Sequence, residues 1–340
     1  MRHLITAVIL ILTATTELVA QNVGIAELTI PAPHHNQDLQ VAVMFPATVG
    51  KSVMFAENAV FYGTLVLEKA EPTPGRHPVV LLSHGWGGNY TRMAWLSAGL
   101  ASKGAIVVAV NHPNSTTFDI NFDTAFNHWT RAQDLSTALD YVLQDGVFAP
   151  YIDATRISAT GFSYGGWTAL SLAGVKGRRD GFWEYCAAAG PGSQFCAELA
   201  KAGIDISAID QDSYEASYLD PRVRRVAAID PGLTWGLTPA DLRGLNSPLL
   251  LVGLGEGADR LNATDTSAMG SNFEVLVPNA SVEVISPAMH FTALGVCKPA
   301  GEAILKEEND DPVCTDPTGT DRATVLNTII HALADHFELR

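Results

Sequence analysis

The sequence predicts an α/β fold: a mostly parallel central sheet of about eight strands, flanked by helices and carrying an inserted helical cap segment. Three observations lead there. Short, almost wholly apolar runs recur, Pro78-Val79-Val80-Leu81-Leu82-Ser83 being the clearest, and such runs suit strands buried on both faces. Helix-compatible stretches separate most of them, notably 129–143 and the residues after Ser163, an alternation that implies parallel pairing through crossovers. The third is Gly161-Phe162-Ser163-Tyr164-Gly165, set between the strand-like 156–160 and the helix-compatible 166–173. That is the strand–turn–helix setting of a nucleophile elbow.

The elements follow in order. Residues 1–20 read as an export signal: Arg2 and His3 form a basic head, 4–13 are apolar, and Val19-Ala20 end in a small residue before Gln21. An uncleaved anchor is the alternative, but the apolar stretch is short for a bilayer, and no membrane span is expected in the mature chain. Residues 21–340 are expected to form a single domain. Strands at 24–30 and 40–45 suggest an antiparallel start, and a Pro- and charge-rich link, 68–77, leads to the strand at 78–83. Further strands are expected at 105–110, 156–160, 223–229, 248–253 and 281–285, with a closing amphipathic helix at 321–337. One interval, 177–222, is about 45 residues long, too long for a simple crossover. It is rich in aromatics, including Phe182, Trp183, Tyr185, Phe195, Tyr214 and Tyr218. It reads either as a cap over an active site or as a surface decoration with its own aromatic mini-core.

Of the 340 residues, 47% are hydrophobic and 17% charged, which supports a large core and excludes global disorder. The net charge is −15, from 21 Lys+Arg against 36 Asp+Glu, and basic residues occur at most in pairs. Nucleic-acid binding needs phosphate neutralisation, so no nucleic-acid partner is expected. Four cysteines, Cys186, Cys196, Cys297 and Cys314, suit disulfides in an oxidising compartment. Three pairings are possible, and the local one is simplest: Cys186 with Cys196, Cys297 with Cys314. Zinc-finger spacing is absent, and the dipeptide His34-His35 reads as a loop, so no metal is expected.

A serine hydroxyl needs a neighbouring base, itself oriented by an acid, and elbow enzymes carry them in the order serine, acid, histidine. Three histidines follow Ser163. His331 and His336 fall in the final helix pattern, whereas His290 follows the last expected strand and sits on the same sheet edge as the elbow. It is the base by elimination and position. Asp230, in a turn with Pro231-Gly232, competes for the acid role with Glu256 and Asp259 after the next strand. The oxyanion hole needs two backbone N–H donors. Tyr164 supplies one; Trp86, in Ser83-His84-Gly85-Trp86-Gly87-Gly88, supplies the other. A phosphate-binding loop is the rival reading of that segment, but Gly-Lys-Ser/Thr is missing. His84 reads as structural.

The segments His84-Gly85-Trp86-Gly87-Gly88, Gly161-Phe162-Ser163-Tyr164-Gly165-Gly166 and Met289-His290-Phe291 resemble the α/β-hydrolase superfamily. More narrowly, the chain looks like secreted bacterial dienelactone-hydrolase-like proteins related to platelet-activating-factor acetylhydrolases. The likeness runs from about Gly24 onward and takes in Ala109-Val110-Asn111-His112-Pro113 and Arg131…Asp134. In the acetylhydrolase-like branch the acid follows an earlier strand, which implies Asp230. Dienelactone hydrolases use cysteine where Ser163 stands, so the resemblance does not extend to that particular activity. The resemblance implies an exported serine esterase with the triad Ser163, Asp230 and His290, no cofactor, and a small-molecule ester or lipid-like substrate. A peptidase or amidase with the same triad, and a non-catalytic binding protein of this fold, are the rival expectations.

Overall fold

The computed structural model describes residues 22–190 and 193–339, so the export signal expected at 1–20 lies outside the described residues. Along the run His77–Ser83, Val79 and Leu81 enter one apolar layer and Val80 and Leu82 the other. The period of two thus buries both faces of the strand, and each such Val or Leu contributes about 1.5–3 kcal/mol.

The strands are β1 (Asn22–Ile30), β2 (Leu39–Ala47), β3 (Lys51–Phe55), β4 (Thr64–Glu68), β5 (His77–Ser83) and β6 (Ile106–Asn111). They continue with β7 (Ser115–Thr116), β8 (Asp119–Ile120), β9 (Ile152–Phe162), β10 (Val223–Ile229), β11 (Leu249–Leu254) and β12 (Ser281–Ile285). Among the described residues the main sheet has ten strands in the order β12-β11-β10-β9-β5-β6-β2-β1-β4-β3, and β7 and β8 form a separate small ribbon. Across the main sheet, from β6 through β5, β9, β10 and β11 to β12, every neighbouring pair is parallel; β2 pairs antiparallel with both β6 and β1.

The expected count of about eight strands is corrected to ten in this sheet: β3 and β4, an antiparallel pair at its end, were not expected. β3 buries none of its residues and β4 only Val66 and Leu67, so neither carries the long apolar run that marks the central strands. The central strands and the long helices fall within a few residues of their expected positions.

Helices α1 (Ala94–Ser102), α2 (His128–Gln144) and α3 (Tyr164–Leu172) precede the long interval, which holds α4 (Arg179–Ala189), α5 (Gln194–Lys201) and α6 (Gln211–Tyr214). After it come α7 (Phe273–Leu276), α8 (Gly301–Glu308) and α9 (Arg322–His336). One face of the sheet is covered by α2 and α3 through Leu135, Leu139, Trp167 and Leu170. The other is covered by α1 and α9 through Leu96, Leu100, Ile329 and Leu333. Parallel pairing puts the C-terminal ends of β5, β9, β10 and β12 on one edge, where ligands of open α/β sheets bind. No helix among the described residues is long and apolar enough to cross a membrane.

Candidate active site

Ser163 stands between β9 and α3 with φ 58° and ψ −118°, a left-handed conformation that costs a non-glycine residue energy. Its amide donates to the Ile229 carbonyl at 2.9 Å, and its carbonyl accepts from Gly232 at 3.1 Å. The turn is so tight that a Cβ on Gly161 would stand 2.3 Å from the Gly165 carbonyl oxygen. A Cβ on Gly165 would stand 2.1 Å from the Ser83 carbonyl oxygen. Only glycine fits at either flank, which is the physical content of the pentapeptide.

His290 opens the short helical turn His290–Ala293 that follows β12. Its Nε2 lies 3.1 Å from Ser163 Oγ and its Nδ1 lies 2.6 Å from Asp230 Oδ2. Asp230, one residue past β10, is fully buried. Its Oδ2 also accepts from the Thr264 hydroxyl at 2.8 Å, and its Oδ1 accepts from the Leu254 amide at 3.0 Å. A buried carboxylate is tolerated when its oxygens are satisfied in this way. The structure therefore brings Ser163, His290 and Asp230 together, while Glu256 and Asp259 are exposed beside the turn Gly257–Asp259. Thr264 was not anticipated. It lies 34 residues beyond its carboxylate partner, and nothing in the local sequence marks it.

The loop after β5 turns at Gly85-Trp86-Gly87-Gly88, with the Gly88 amide donating to the Gly85 carbonyl at 3.1 Å and Gly87 at φ 63°. Positive φ at the third position of a β-turn calls for glycine. Tyr164 opens α3, so its amide has no acceptor within the helix and sits at the positive end of the dipole. Trp86 and Tyr164 both border the cavity beside Ser163.

Tyr164 and the segment Ser83-His84 that leads to Trp86 are braced by the buried Arg131, which the sequence shows only as part of a resemblance. Its guanidinium donates to the His84 carbonyl, to the Ser83 hydroxyl at 3.2 Å and to the Ser115 hydroxyl at 2.7 Å. It also lies 4.4 Å from the centre of the Tyr164 ring. Burial lowers its pKa to about 10, which still leaves it charged at neutral pH. Burial, helped by the Arg131 charge, takes His112 down to about 3. The same two causes, with His112 adding to them, hold His84 well below its ordinary range. Neutral His84 accepts the His112 amide at Nε2 and meets the Gly85 carbonyl through Nδ1, a structural placement.

The cavity measures about 420 Å³, and its walls include Phe61, Trp86, Phe195, Phe291, Asp310 and Asp311. Partial burial and the adjacent Asp310 charge raise the Asp311 carboxyl above its ordinary range. Both expected disulfides are present, Cys186–Cys196 and Cys297–Cys314. The first joins α4 to α5, which carries Phe195 edge-on to Trp86 at 6.3 Å. On α4, Tyr185 stacks on Trp235 with ring centres 4.2 Å apart. Asn262 holds both rings: its side-chain oxygen accepts from the Tyr185 hydroxyl at 2.8 Å, and its carbonyl accepts from the Trp235 indole at 3.0 Å.

A ten-stranded, mostly parallel sheet with a serine elbow at its C-terminal edge defines an α/β hydrolase. Comparison with known proteins agrees. Residues 21–132 match the family described as platelet-activating factor acetylhydrolase, isoform II, and residues 91–197 match the prolyl oligopeptidase family. Cutinase est2 of Thermobifida alba is 31% identical over 131 residues, 38% of this chain and 40% of that protein. Cutinase est1 of the same organism is 34% identical over 113 residues, 33% of this chain and 34% of that protein. The chain thus spans well under half the length of the curated relatives it matches. The solved structure of a ferulic acid esterase from Streptomyces cinnamoneus shares the fold, with TM-score 0.58, 19% identity and coverage of 95% of this chain and 91% of that one.

Proposed function

We propose that the chain is an exported serine hydrolase that cleaves carboxylic esters. The observation that carries the reading is the hydrogen-bonded line from Ser163 Oγ through His290 to Asp230, with the serine opening into the cavity. His290 Nε2 takes the hydroxyl proton as Ser163 Oγ attacks the ester carbonyl, and Asp230 holds the imidazole and supports the imidazolium. The Trp86 and Tyr164 amides bind the tetrahedral oxyanion. Its collapse breaks the C–O bond to the alcohol, which leaves with the proton from His290. Water, deprotonated by His290, then attacks the acyl-enzyme and frees the acid and Ser163.

Relatives named as cutinases support an ester substrate, and the two disulfides support export. The segment 177–222 supplies Phe195 and Glu198 to the cavity wall, which supports its reading as a cap. The prolyl oligopeptidase match favours amide cleavage as a second reading. Labelling with a fluorophosphonate probe, followed by short-chain esters against aminoacyl amides, tests both. Labelling lost in Ser163→Ala together with faster ester turnover is the expected result. Faster amide turnover transfers the assignment to the peptidase reading, and labelling unchanged in Ser163→Ala removes the proposed nucleophile.

A further inference from the structure

We propose that His34, His35 and Asp134 form a binding site for one divalent transition-metal ion of the zinc class, separate from the cavity beside Ser163. Among the described residues these three bring one ligand atom each to within 4.8 Å of one another. Nε2 of His34 lies 2.7 Å and Nε2 of His35 lies 2.8 Å from the same oxygen, Asp134 Oδ1. The dipeptide reads as loop in the sequence because its third partner is 99 residues further on from His35.

Three features suit an ion rather than a hydrogen-bonded cluster alone. Two imidazole nitrogens and a carboxylate oxygen, the donor set of a zinc site, are gathered in one place, both Nε2 atoms meeting Asp134 Oδ1 and the ring centres standing 4.5 Å apart. Zinc bonds of about 2.0–2.2 Å in a tetrahedron need ligand atoms roughly 3.3 Å apart, so each imidazole has to withdraw from Asp134 Oδ1 by about half an ångström, and the two Nε2 atoms, within 4.8 Å of each other, have to settle at the same spacing. Both histidines sit on the connection between β1 and β2, outside the sheet ladder, so the adjustment breaks no strand pairing. Next, the carboxylate is already oriented: Asp134 Oδ2 meets His112 Nδ1 at 2.8 Å, and His112 Nε2 meets Ser83 Oγ at 2.8 Å. Such outer partners fix the direction of a ligand lone pair. Finally, a polar cavity of about 450 Å³ opens on the two histidines, walled also by Asn36, Asn114, Asp119 and Thr130, with room for water at the remaining coordination position.

Two imidazole nitrogens select zinc, nickel or copper over calcium and magnesium, which want oxygen. None of the three side chains borders the cavity beside Ser163, so the ion takes no part in the ester chemistry. Its effect is to clamp the β1–β2 connection onto α2, which carries Asp134. An ion held only by the folded chain raises the melting temperature with metal concentration.

The test uses the full chain, stripped with chelator, dialysed and titrated with zinc chloride by calorimetry, with cobalt(II) absorption reporting ligand geometry. One zinc per chain is expected, with a rise in Tm and the visible bands of four-coordinate cobalt. The double variant His34→Ala/His35→Ala should bind more than a hundredfold more weakly, exceeding the 10–100-fold loss usual for outer partners. Its labelling at Ser163 by a fluorophosphonate checks that it has folded. Should the double variant not fold, His34→Gln, at a partly exposed position, supplies the same comparison. Absence of zinc binding by the wild-type chain up to millimolar concentration overturns the proposal, as does binding that the variants leave unchanged.

Discussion

Thr292 donates its hydroxyl to Asp316 Oδ1 at 2.7 Å, and that bond ties the loop of His290 to a segment 24 residues further on. The same hydroxyl oxygen accepts the Met289 amide at 2.9 Å, one residue before the imidazole. Asp316 is gripped in turn by Arg322, which also donates to the carbonyls of Gly295 and Val313. The Cys297–Cys314 bridge closes this region, and Phe61 on the cavity wall pairs with Cys297.

Loss of the bridge should therefore act on both stability and chemistry. Cys297→Ser with Cys314→Ser is expected to cost about 3 kcal/mol by loop-closure reasoning and to lower turnover severalfold. Thermal melts and ester kinetics on the same preparation check this. A lower Tm with unchanged turnover limits the bridge to tidying a surface loop.

The acid can be assigned by comparing three substitutions. Asp230→Asn should lower turnover by ~10³–10⁴ with little change in KM, because the imidazole then takes the wrong tautomer. Glu256→Gln and Asp259→Asn, on exposed side chains, should leave turnover close to wild type. The reverse ranking defeats the assignment.

Arg131 is a positioning residue, since it contacts the chain around both proposed oxyanion donors and not the serine. Arg131→Lys keeps the charge but loses the fork that reaches Ser83, Ser115 and the His84 carbonyl together. Removing one oxyanion donor outright costs ~10²–10³, so a loosened one should cost roughly tenfold or more in kcat. KM should move little and the folded fraction should stay constant in the assay. A change confined to Tm makes the residue structural only.

Acid should destabilise the fold well before the carboxylates titrate. Burial takes His128 down to about 3, against the opposing bond to the Tyr214 carbonyl, and His112 lies as low. An unfolded histidine takes up its proton near 6.5, so below that pH the unfolded chain binds protons that the fold refuses. The stabilisation is complete above about 6.5 and is lost as pH falls toward 3, at up to ~1.4 kcal/mol per pH unit for each such group. Asp134 adds to the loss further down. Its burial disfavours the charge, but bonds with His112, His34 and His35 outweigh that and hold it well below the carboxylate range. Tm measured from pH 7 to 4.5 should fall steeply, and His128→Gln should flatten the slope by about one proton. Parallel curves for the two chains contradict this.

What the sequence disclosed was whatever is written locally. The two flanking glycines of Ser163 are required by clashes within a few residues or with the adjoining β5, and the double burial of β5 shows as an uninterrupted apolar run. Asp230 was harder to separate from Glu256 and Asp259, because its fitness depends on the Leu254 amide and the Thr264 hydroxyl reaching it across the fold. Arg131 and Asp134 fall one helical turn apart on α2, yet one braces the elbow and the other faces the His34-His35 loop. Helical period gives their spacing, and only the packed sheet gives their partners. β3 and β4 escaped for the opposite reason: they bury too little to leave a pattern.

The stacked pair of Tyr185 and Trp235 gives this protein a built-in optical gauge. Tyr185 rides on the disulfide-joined helices, Trp235 belongs to the loop after β10, and Asn262 fastens one to the other. Any ligand that lifts the helices must pull two chromophores apart, so near-ultraviolet circular dichroism should register the movement with no dye attached. Asn262→Ala removes the side-chain half of the fastening and should shift that signal in the free protein. A spectrum indifferent to both ligand and substitution means that the helices stay seated while substrate enters.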